Sequence, residues 1–189
     1  MAQTVTVEEI FRRAGAMLEG HFLLTSGRHS ARYLEKFLVL QWPQYTGLLC
    51  QQIADQFRSA GISVVAGPTT GGIIVAYEVA RQLGVRGLFA ERTPEGRAFR
   101  RGFQIAPGER VLVVDDILTT GGSVREVVAA VRRSGGEPVA VAVLVDRSDG
   151  QHGLDVPVFA LGRLSIPTYA PEECPLCRAG VPLVKPGGS

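Results

Sequence analysis

The 189-residue sequence lacks several features that would assign a protein to a broad class. It has no apolar run of the ~20 residues that a membrane-spanning helix needs, and its amino terminus lacks the basic and apolar regions of a signal peptide. It also lacks a charge excess, because 20 basic residues nearly balance 18 acidic ones and leave a net charge of +2. We therefore expect a cytoplasmic protein with neither nucleic acid nor membrane among its partners.

Cysteine is scarce as well, and histidine is no more frequent. The three cysteines are Cys50, Cys174 and Cys177, an odd set without a disulfide framework. Cys174-Pro-Leu-Cys177 has the spacing of a metal knuckle, but a zinc site needs four ligands and the sequence has no second cysteine pair. We expect reduced thiols, with a metal bound only if two subunits combine their pairs. The histidines, for which we expect surface or capping roles, are His21, His29 and His152.

Lysine is rarer still for a chain with this many basic residues. Only Lys36 and Lys185 are lysines, so arginine supplies every cationic contact from the segment between them. Arginine binds anions well but does not lose its proton near neutral pH. We therefore expect anion binding by arginine rather than proton transfer.

The length suits one domain, and the first third of the chain is expected to form four elements of secondary structure. Helical spacing of apolar residues predicts a helix over residues 7–18. Two short strands are expected around a turn at Ser26-Gly27, the second of them over residues 32–40. Pro43 begins a further helix that ends near Gly61.

After this region, short apolar runs alternate with amphipathic segments. The runs, whose continuous apolar character is typical of parallel strands covered on both faces, are residues 62–66, 87–90, 111–114 and 139–145. Helices are predicted over residues 73–83 and 123–133. The pattern predicts an α/β fold with a central, mostly parallel sheet flanked by helices. Ligands bind beyond the carboxyl ends of such strands, so we expect the site in loops 67–72 and 115–122.

The most informative motif occupies residues 111–124, where a buried strand leads through two aspartates and a Thr-Thr-Gly-Gly-Ser turn into a helix. Residues 119–123 offer backbone N–H groups and three hydroxyls at the positive end of that helix, which suits a phosphate monoester. Asp115 and Asp116 are suited to two vicinal hydroxyls or a magnesium shell. The alternative is a solvated acidic turn before a helix cap. It explains either the aspartates or the glycines, but seldom both together after a buried strand.

This motif resembles the signature of the type I phosphoribosyltransferases, which use 5-phosphoribosyl 1-pyrophosphate (PRPP) with Mg²⁺. The resemblance implies a hood of about residues 1–42 plus the C-terminal segment, and a core of about residues 43–162. It implies that Mg²⁺ is bound through the pyrophosphate of PRPP, and it assigns no protein ligand to the ion. Beside the two aspartates at the ribose, the residues implied to bind PRPP are Ile117, Leu118, Thr119, Thr120, Gly121, Gly122 and Ser123.

Three other segments resemble the orotate phosphoribosyltransferases of this family. Residues 21–33 resemble their hood, and Gly67-Pro-Thr-Thr-Gly-Gly resembles their pyrophosphate loop, which implies PRPP binding by Thr70, Gly71 and Gly72. Val145-Asp-Arg-Ser resembles the place of their substrate arginine. Orotate carries a carboxylate that uracil lacks, and a guanidinium can bind it with two hydrogen bonds.

The resemblance and this chemistry make Arg147 and Thr119 the expected orotate-binding residues. A structural pairing of Arg147 with Asp146 is the alternative. Tyr33 either stacks on the pyrimidine or belongs to the core.

The chain departs from the family pattern in its cations. Thr25 and Gly71 stand where family members carry a lysine. The mobile catalytic loop corresponds to residues 91–102, which contain four arginines: Arg92, Arg97, Arg100 and Arg101. We align Arg92 with the family's loop cation and add it to the two aspartates as a catalytic residue. For each of these arginines, a solvated surface loop is the alternative.

Taken together, these loops predict transfer of the phosphoribosyl group from PRPP to orotate, a pentosyltransferase reaction of pyrimidine (UMP) biosynthesis. The resemblance also implies a homodimer in which loop 92–101 is shared across subunits. Two alternatives remain open: a phosphoribosyltransferase for a purine or for uracil, and a non-catalytic regulator that senses PRPP.

Overall fold

The computed structural model describes residues 5–24 and 26–186. The elements, in chain order, are α1 (Val7–Arg13), β1 (Met17–Leu23), β2 (His29–Leu34), α2 (Phe37–Leu40), α3 (Pro43–Phe57), β3 (Val64–Pro68), α4 (Gly71–Leu83), β4 (Arg86–Thr93), β5 (Gly96–Phe99), β6 (Arg110–Leu118), α5 (Gly122–Arg133), β7 (Glu137–Asp146), β8 (Val158–Arg163), a 3₁₀ helix (Pro171–Glu173) and α6 (Pro175–Arg178).

A six-stranded sheet in the order β5-β4-β3-β6-β7-β8 forms the centre of the fold. All its neighbouring strands are parallel except the edge strand β5, which is antiparallel to β4. This confirms the predicted α/β class with a mostly parallel sheet. The strands β1 and β2 form a separate antiparallel hairpin, which we call the N-terminal hairpin.

Alternation along β6 explains how the sheet is covered on both sides. Leu112 and Val114 join the core beneath α1, α3 and α4, whereas Val111 and Val113 join the core beneath α5. Neighbouring side chains of a strand point to opposite faces. The two aspartates that follow on β6 therefore also project to opposite faces of the sheet.

The predicted helices of the core are confirmed, and their ends have local causes. Pro43 occupies the first turn of α3, where its missing N–H costs no hydrogen bond. Gly84 ends α4 with a φ of 72°, a left-handed conformation that favours glycine. The helix α5 buries one stripe of valines, namely Val124, Val127, Val128 and Val131.

Two predictions for the first third of the chain were wrong. The helix α1 ends at Arg13 rather than at residue 18, because Gly15 turns the chain with a φ of 65° and β1 begins at Met17. Residues 37–40 form the short helix α2 instead of extending a strand. An apolar run this short does not distinguish a strand from a buried helical turn.

The N-terminal hairpin is joined to the last part of the described chain. Val184 forms backbone hydrogen bonds with His21 and Leu23, each 2.8 Å long. His29 and Tyr169 exchange two more, at 2.9 and 2.8 Å. The C-terminal residues 164–186, which we call the C-terminal segment, therefore pack on the N-terminal hairpin. Among the described helices, none has both the length and the apolar character to cross a bilayer.

Candidate active site

A cavity of about 800 Å³ opens at the carboxyl ends of β3, β6 and β7. It is lined by the loops after β3 and β6 and by parts of the N-terminal hairpin and the C-terminal segment. Most of the predicted site residues line it: Thr70, Gly71, Asp115, Asp116, Ile117, Leu118, Thr119, Thr120, Gly121, Gly122, Ser123 and Arg147. Gly72 and Arg92 are not among the lining residues. The predicted edge of the sheet therefore holds the largest part of the predicted site.

Two carboxylates form the floor of the cavity from within strand β6. Asp115 and Asp116 are both buried, and each carboxylate accepts a hydrogen bond from the backbone N–H of the residue that follows it. The N–H of Asp116 donates to Asp115 Oδ1 at 2.9 Å, and the N–H of Ile117 donates to Asp116 Oδ1 at 2.6 Å. Asp116 Oδ2 is buried without a hydrogen-bond partner in the described part of the chain. One acceptor of the pair, which lies against Gly71, thus lacks a hydrogen bond.

Burial governs the protonation of this pair. Desolvation, together with the neighbouring charge of Asp116, raises the pKa of Asp115 to about 8. Desolvation also raises the pKa of Asp116, although the nearby Lys36 opposes the shift. Without a ligand, the pair therefore retains a proton near neutral pH, which a bound cationic or hydrogen-bonding group can displace.

The loop after β3 approaches the carboxylates closely. A Cβ on Gly71 would overlap Asp116 Oδ2, and a Cβ on Gly72 would lie 2.6 Å from Pro68 Cδ and 3.1 Å from Asp115 Oδ1. Only glycine allows the first turn of α4 to pack this tightly against β6. The backbone N–H groups at the positive end of α4 consequently lie beside the cavity.

The loop after β6 brings the start of a second helix to the cavity. Gly121 has a φ of 75°, and a Cβ there would overlap the carbonyl oxygen of His152. The guanidinium of Arg125 braces the turn, because its Nη1 donates to the carbonyl oxygens of Thr120, at 2.7 Å, and of His152. Thr119 and Thr120 are exposed to the cavity. The start of α5 therefore presents amides and hydroxyls to a ligand, as predicted for a phosphate.

Arg147 follows β7 and lies on the cavity wall. Its guanidinium is half-buried, its Nε has no hydrogen-bond partner among the described residues, and burial lowers its pKa. The alternative of a pairing with Asp146 is wrong, because that carboxylate accepts from Ser148 N at 2.8 Å and Ser148 Oγ at 2.6 Å and faces Arg163. Arg147 thus presents a partly desolvated cation to the cavity.

Both lysines of the sequence also line this cavity, and no role was predicted for either. Lys36 Nζ lies 3.3 Å from Asp116 Oδ1. Burial lowers the pKa of Lys36, but Asp116 and Asp115 outweigh it and raise the pKa overall. Since Gly71 has no room for a side chain, Lys36 supplies the charge beside Asp116. The other departure, Thr25, lies outside the described residues.

The predicted loop 92–101 is not a loop. Its first part completes β4 and pairs in an antiparallel hairpin with β5. Arg92 is exposed and lies opposite Arg97 in that ladder. Arg101 forms an exposed ion pair with Glu91 at 2.8 Å. Sequence patterns missed this hairpin because charged edge strands resemble loops in composition.

Arg97 is the member of this arginine group that the structure buries, with an exposed fraction of 4%. Its Nη1 donates to Thr69 Oγ1 at 2.9 Å and to the carbonyl oxygen of Ala90 at 3.0 Å. Its Nη2 reaches the carbonyl oxygen of Thr69 and Ser123 Oγ, at 3.3 and 3.4 Å. Arg97 therefore connects the loops after β3 and β6, a role that the sequence did not reveal.

A second group of side chains lies outside the cavity, where no site was predicted within one chain. His21 and His29 stand beside Cys174 and Cys177, and the four potential ligand atoms lie within 4.8 Å of one another. Both histidines are buried, so a surface role is wrong for them. The second ligand pair that the cysteines lacked in the sequence is thus supplied by two histidines of the same chain.

Comparisons with known proteins agree with this geometry. The phosphoribosyl transferase domain family matches residues 44–159. An orotate phosphoribosyltransferase of Pelotomaculum thermopropionicum is 61% identical over 94% of either chain. The solved orotate phosphoribosyltransferase of Aeropyrum pernix superposes with a TM-score of 0.72 at 28% identity, over 84% of this chain and 93% of its own. The Mycobacterium tuberculosis orotate phosphoribosyltransferase, solved with inorganic phosphate, superposes with a TM-score of 0.68 at 27% identity, over 84% and 94%.

Proposed function

The chain belongs to the phosphoribosyltransferase family and, within it, to the orotate phosphoribosyltransferases, and we propose that the cavity described above is where it performs their reaction. The predicted type I fold is confirmed. The reaction converts orotate and PRPP to orotidine 5-phosphate and pyrophosphate, a pentosyltransferase step of pyrimidine biosynthesis. One observation carries the assignment of the site: an anion-binding turn, a buried carboxylate pair and a partly desolvated arginine share the same cavity.

The sugar phosphate occupies the β6–α5 side of the cavity. Its 5-phosphate accepts hydrogen bonds from the amides and hydroxyls of residues 119–123 at the positive end of α5. The ribose hydroxyls donate to Asp115 and Asp116, whose unpartnered oxygen supports this position. The pyrophosphate lies at the start of α4, beside Thr70 and Gly71, where Lys36 adds a positive charge.

Magnesium fits this site through the substrate rather than through a protein cage. The donors present are carboxylate oxygens, which Mg²⁺ prefers, and one of them is buried without a partner. Lys36 already compensates part of their charge, which leaves room for a hydrated ion shared with PRPP. When bound, Mg²⁺ neutralises charge on the pyrophosphate oxygens. The residues of this chain would hold the ribose side of that assembly in place.

Orotate occupies the side of the cavity that faces β7 and the N-terminal hairpin. The guanidinium of Arg147 receives the carboxylate of orotate, and Thr119 supplies a hydroxyl close to the sugar. Tyr33 lines the same wall, and its ring centroid lies 5.7 Å from that of Phe22. Its position suits a contact with the pyrimidine face.

The chemistry relies on electrostatic stabilisation. As the bond to pyrophosphate breaks, positive charge develops on the ribose ring beside the aspartate pair, and negative charge develops on the leaving group. The α4 amides and Lys36 receive that negative charge. No covalent nucleophile is required, and exclusion of water protects the sugar cation from hydrolysis.

Arg92 completes the proposed catalytic set from a second subunit. Its side chain is exposed and stands outside the cavity wall of its own chain. An exposed hairpin bearing arginines suits insertion over the pyrophosphate of a neighbouring cavity in a homodimer. We also place the protein in the cytoplasm, because none of the three cysteines, all within the described residues, forms a disulfide.

A turnover assay with each base in turn tests the proposal. Purified protein with Mg²⁺ and PRPP is expected to consume orotate and to release pyrophosphate. Uracil and the purines are expected to react far more slowly, because none of them carries the carboxylate that Arg147 binds. Binding of PRPP without consumption of orotate would identify a regulator instead. Faster turnover of another base would reassign the pocket.

A further inference from the structure

Four side chains with nitrogen or sulfur donors converge where the N-terminal hairpin meets the C-terminal segment. His21 lies on β1 and His29 on β2. Cys174 precedes α6, and Cys177 lies within it. Their ligand atoms all lie within 4.8 Å of one another, and the cluster forms no part of the cavity wall. It therefore needs an explanation of its own.

Four of the six separations between the ligand atoms are close to those of a tetrahedral metal centre. His21 Nε2 lies 3.0 Å from His29 Nδ1, 3.4 Å from Cys174 Sγ and 3.7 Å from Cys177 Sγ. Cys177 Sγ lies 3.3 Å from His29 Nδ1. A zinc ion with Zn–S bonds of about 2.3 Å and Zn–N bonds of about 2.0–2.1 Å separates its ligand atoms by roughly 3.3–3.8 Å. Small adjustments would bring all four ligands into place.

In its neutral form, His21 has the tautomer of a metal ligand. Its Nδ1 lies 2.8 Å from the carbonyl oxygen of Val181, which can only accept, so Nδ1 carries the hydrogen. In a neutral imidazole the lone pair then belongs to Nε2, the atom that faces the cluster. Such a second contact orients metal-binding histidines generally.

Burial and charge select the type of metal. Cys174 and His21 are at most 2% exposed and His29 is 5% exposed, whereas Cys177 is exposed, so a net charge on the three buried ligands would be costly. Two thiolates and two neutral imidazoles around a divalent cation form a neutral complex. Thiolate donors disfavour magnesium and calcium, and four protein ligands at tetrahedral spacing leave no open position for catalysis.

We propose that His21, His29, Cys174 and Cys177 bind one Zn²⁺ ion in a structural site. The ion ties the N-terminal hairpin to the C-terminal segment. Both of these elements contribute to the wall of the cavity, through residues such as Tyr33 and Lys185. The proposal concerns the assembly of that wall and does not depend on which base the cavity binds.

Metal content of the purified full-length protein tests the proposal. Protein produced with zinc and purified without chelator is expected to contain about one zinc per chain. The variants Cys177→Ser and His29→Gln are expected to lose at least about nine tenths of it. Cys50→Ser is the matched control, because Cys50 is buried in the main core beneath the sheet. It is expected to keep its zinc.

A wild-type measurement covers the case in which the ligand variants fail to fold. After removal of zinc by a chelator, added Co²⁺ is expected to give the intense visible bands of tetrahedral cobalt together with a thiolate charge-transfer band. Zinc is also expected to protect Cys177, the exposed ligand, from a thiol reagent.

Several results would overturn the proposal. They are zinc-free protein that takes up no Zn²⁺ on dialysis, an octahedral cobalt spectrum, a Cys174–Cys177 disulfide in the purified protein, or thiols that react equally with and without zinc. Retention of zinc by both ligand variants would also contradict it, and a monovalent copper ion in its place would refute the choice of metal.

Discussion

At the scale of single residues, charge and burial determine what this site can bind. Asp115 and Asp116 occupy consecutive positions of one buried strand, where two ionised carboxylates would repel each other in a poorly solvated setting. Lys36 compensates one of them, and the N-terminal turn of α4 borders both. Arg147 is the complementary case, a guanidinium whose Nε is buried without a partner among the described residues. Each of these groups is stabilised when a ligand that carries the opposite charge or a complementary hydrogen-bonding group binds.

The role of Arg147 can be measured directly. Arg147→Ala is expected to lower kcat/KM for orotate roughly 30-fold to 5,000-fold, because the carboxylate of orotate loses its charged partner. This factor corresponds to a loss of about 2–5 kcal/mol of transition-state stabilisation. Arg147→Lys is expected to recover only part of this, since lysine cannot bind with two parallel hydrogen bonds.

Steady-state kinetics with orotate as the varied substrate measure the effect. Arg163→Ala is the control, because that exposed arginine faces Asp146 and not the cavity. If Arg147→Ala retains full efficiency, the assignment of the orotate carboxylate is wrong.

The raised pKa of Asp115 predicts a pH dependence of stability. Its pKa in the folded, ligand-free protein is about 8, above the ordinary value of 3.8, so the folded state binds the proton more tightly than the unfolded state. This group therefore makes the free energy of unfolding fall as the pH rises from about 4 to about 8, by at most about 1.4 kcal/mol per pH unit. Asp115→Asn removes that contribution.

Urea unfolding of both proteins at pH 6 and pH 8 tests this expectation. The stability of Asp115→Asn relative to the wild type is expected to increase with pH, while its transferase activity is expected to fall. A difference that stays constant between the two pH values would show that Asp115 does not titrate in this range.

At the scale of elements, the edge hairpin β4–β5 is attached to the loops after β3 and β6 through one side chain. Arg97 reaches inward from β5 to Thr69 after β3 and to Ser123 on α5. The backbone carbonyl of Arg97 in turn accepts from Arg133 of α5 at 2.6 Å. These contacts hold the loops at a fixed separation before any ligand binds.

Removal of that connection is expected to loosen both loops together. Arg97→Ala should lower the free energy of unfolding by about 1–3 kcal/mol, because buried acceptors lose their donors. It should also raise the KM for PRPP more than the KM for orotate. Arg101→Ala, which breaks only the exposed pair with Glu91, is expected to change stability by less than about 1 kcal/mol. Equal KM effects for both substrates would contradict a role in positioning the PRPP loops.

At the scale of the whole molecule, the cavity is assembled from segments that are far apart in the sequence. Lys36 and Lys185 lie on opposite ends of the chain and reach the same cavity. Backbone hydrogen bonds between the N-terminal hairpin and the C-terminal segment make this possible. Loss of that junction would open the cavity wall without touching the β6 motif.

The proposed sharing of Arg92 between subunits predicts complementation. Arg92→Ala and Asp116→Asn should each be nearly inactive. Arg92→Ala removes the cation that a hairpin contributes to the partner's cavity, and Asp116→Asn removes a carboxylate from the subunit's own cavity. Mixed in equal amounts under exchanging conditions, they should form heterodimers with one intact site, and activity should return to about a quarter of the wild-type value. Size-exclusion chromatography would establish the dimer. A mixture that stays inactive while heterodimers form would place Arg92 outside the catalytic set.

The sequence alone determined those features that depend on neighbouring residues. Continuous apolar runs identified the parallel strands β3, β4, β6 and β7 but missed β8, whose side chains are only partly buried. Helical spacing identified α3, α4 and α5, and the order Asp-Asp to Thr-Thr-Gly-Gly-Ser identified the turn between β6 and α5, because each of these patterns is local.

Only the tertiary structure decided the contacts between distant segments. It brought Lys36 to Asp116, turned Arg97 inward from an edge strand, and placed His21 and His29 beside Cys174 and Cys177. Such contacts depend on how the hairpins pack against the sheet and the C-terminal segment, and no local spacing encodes that arrangement.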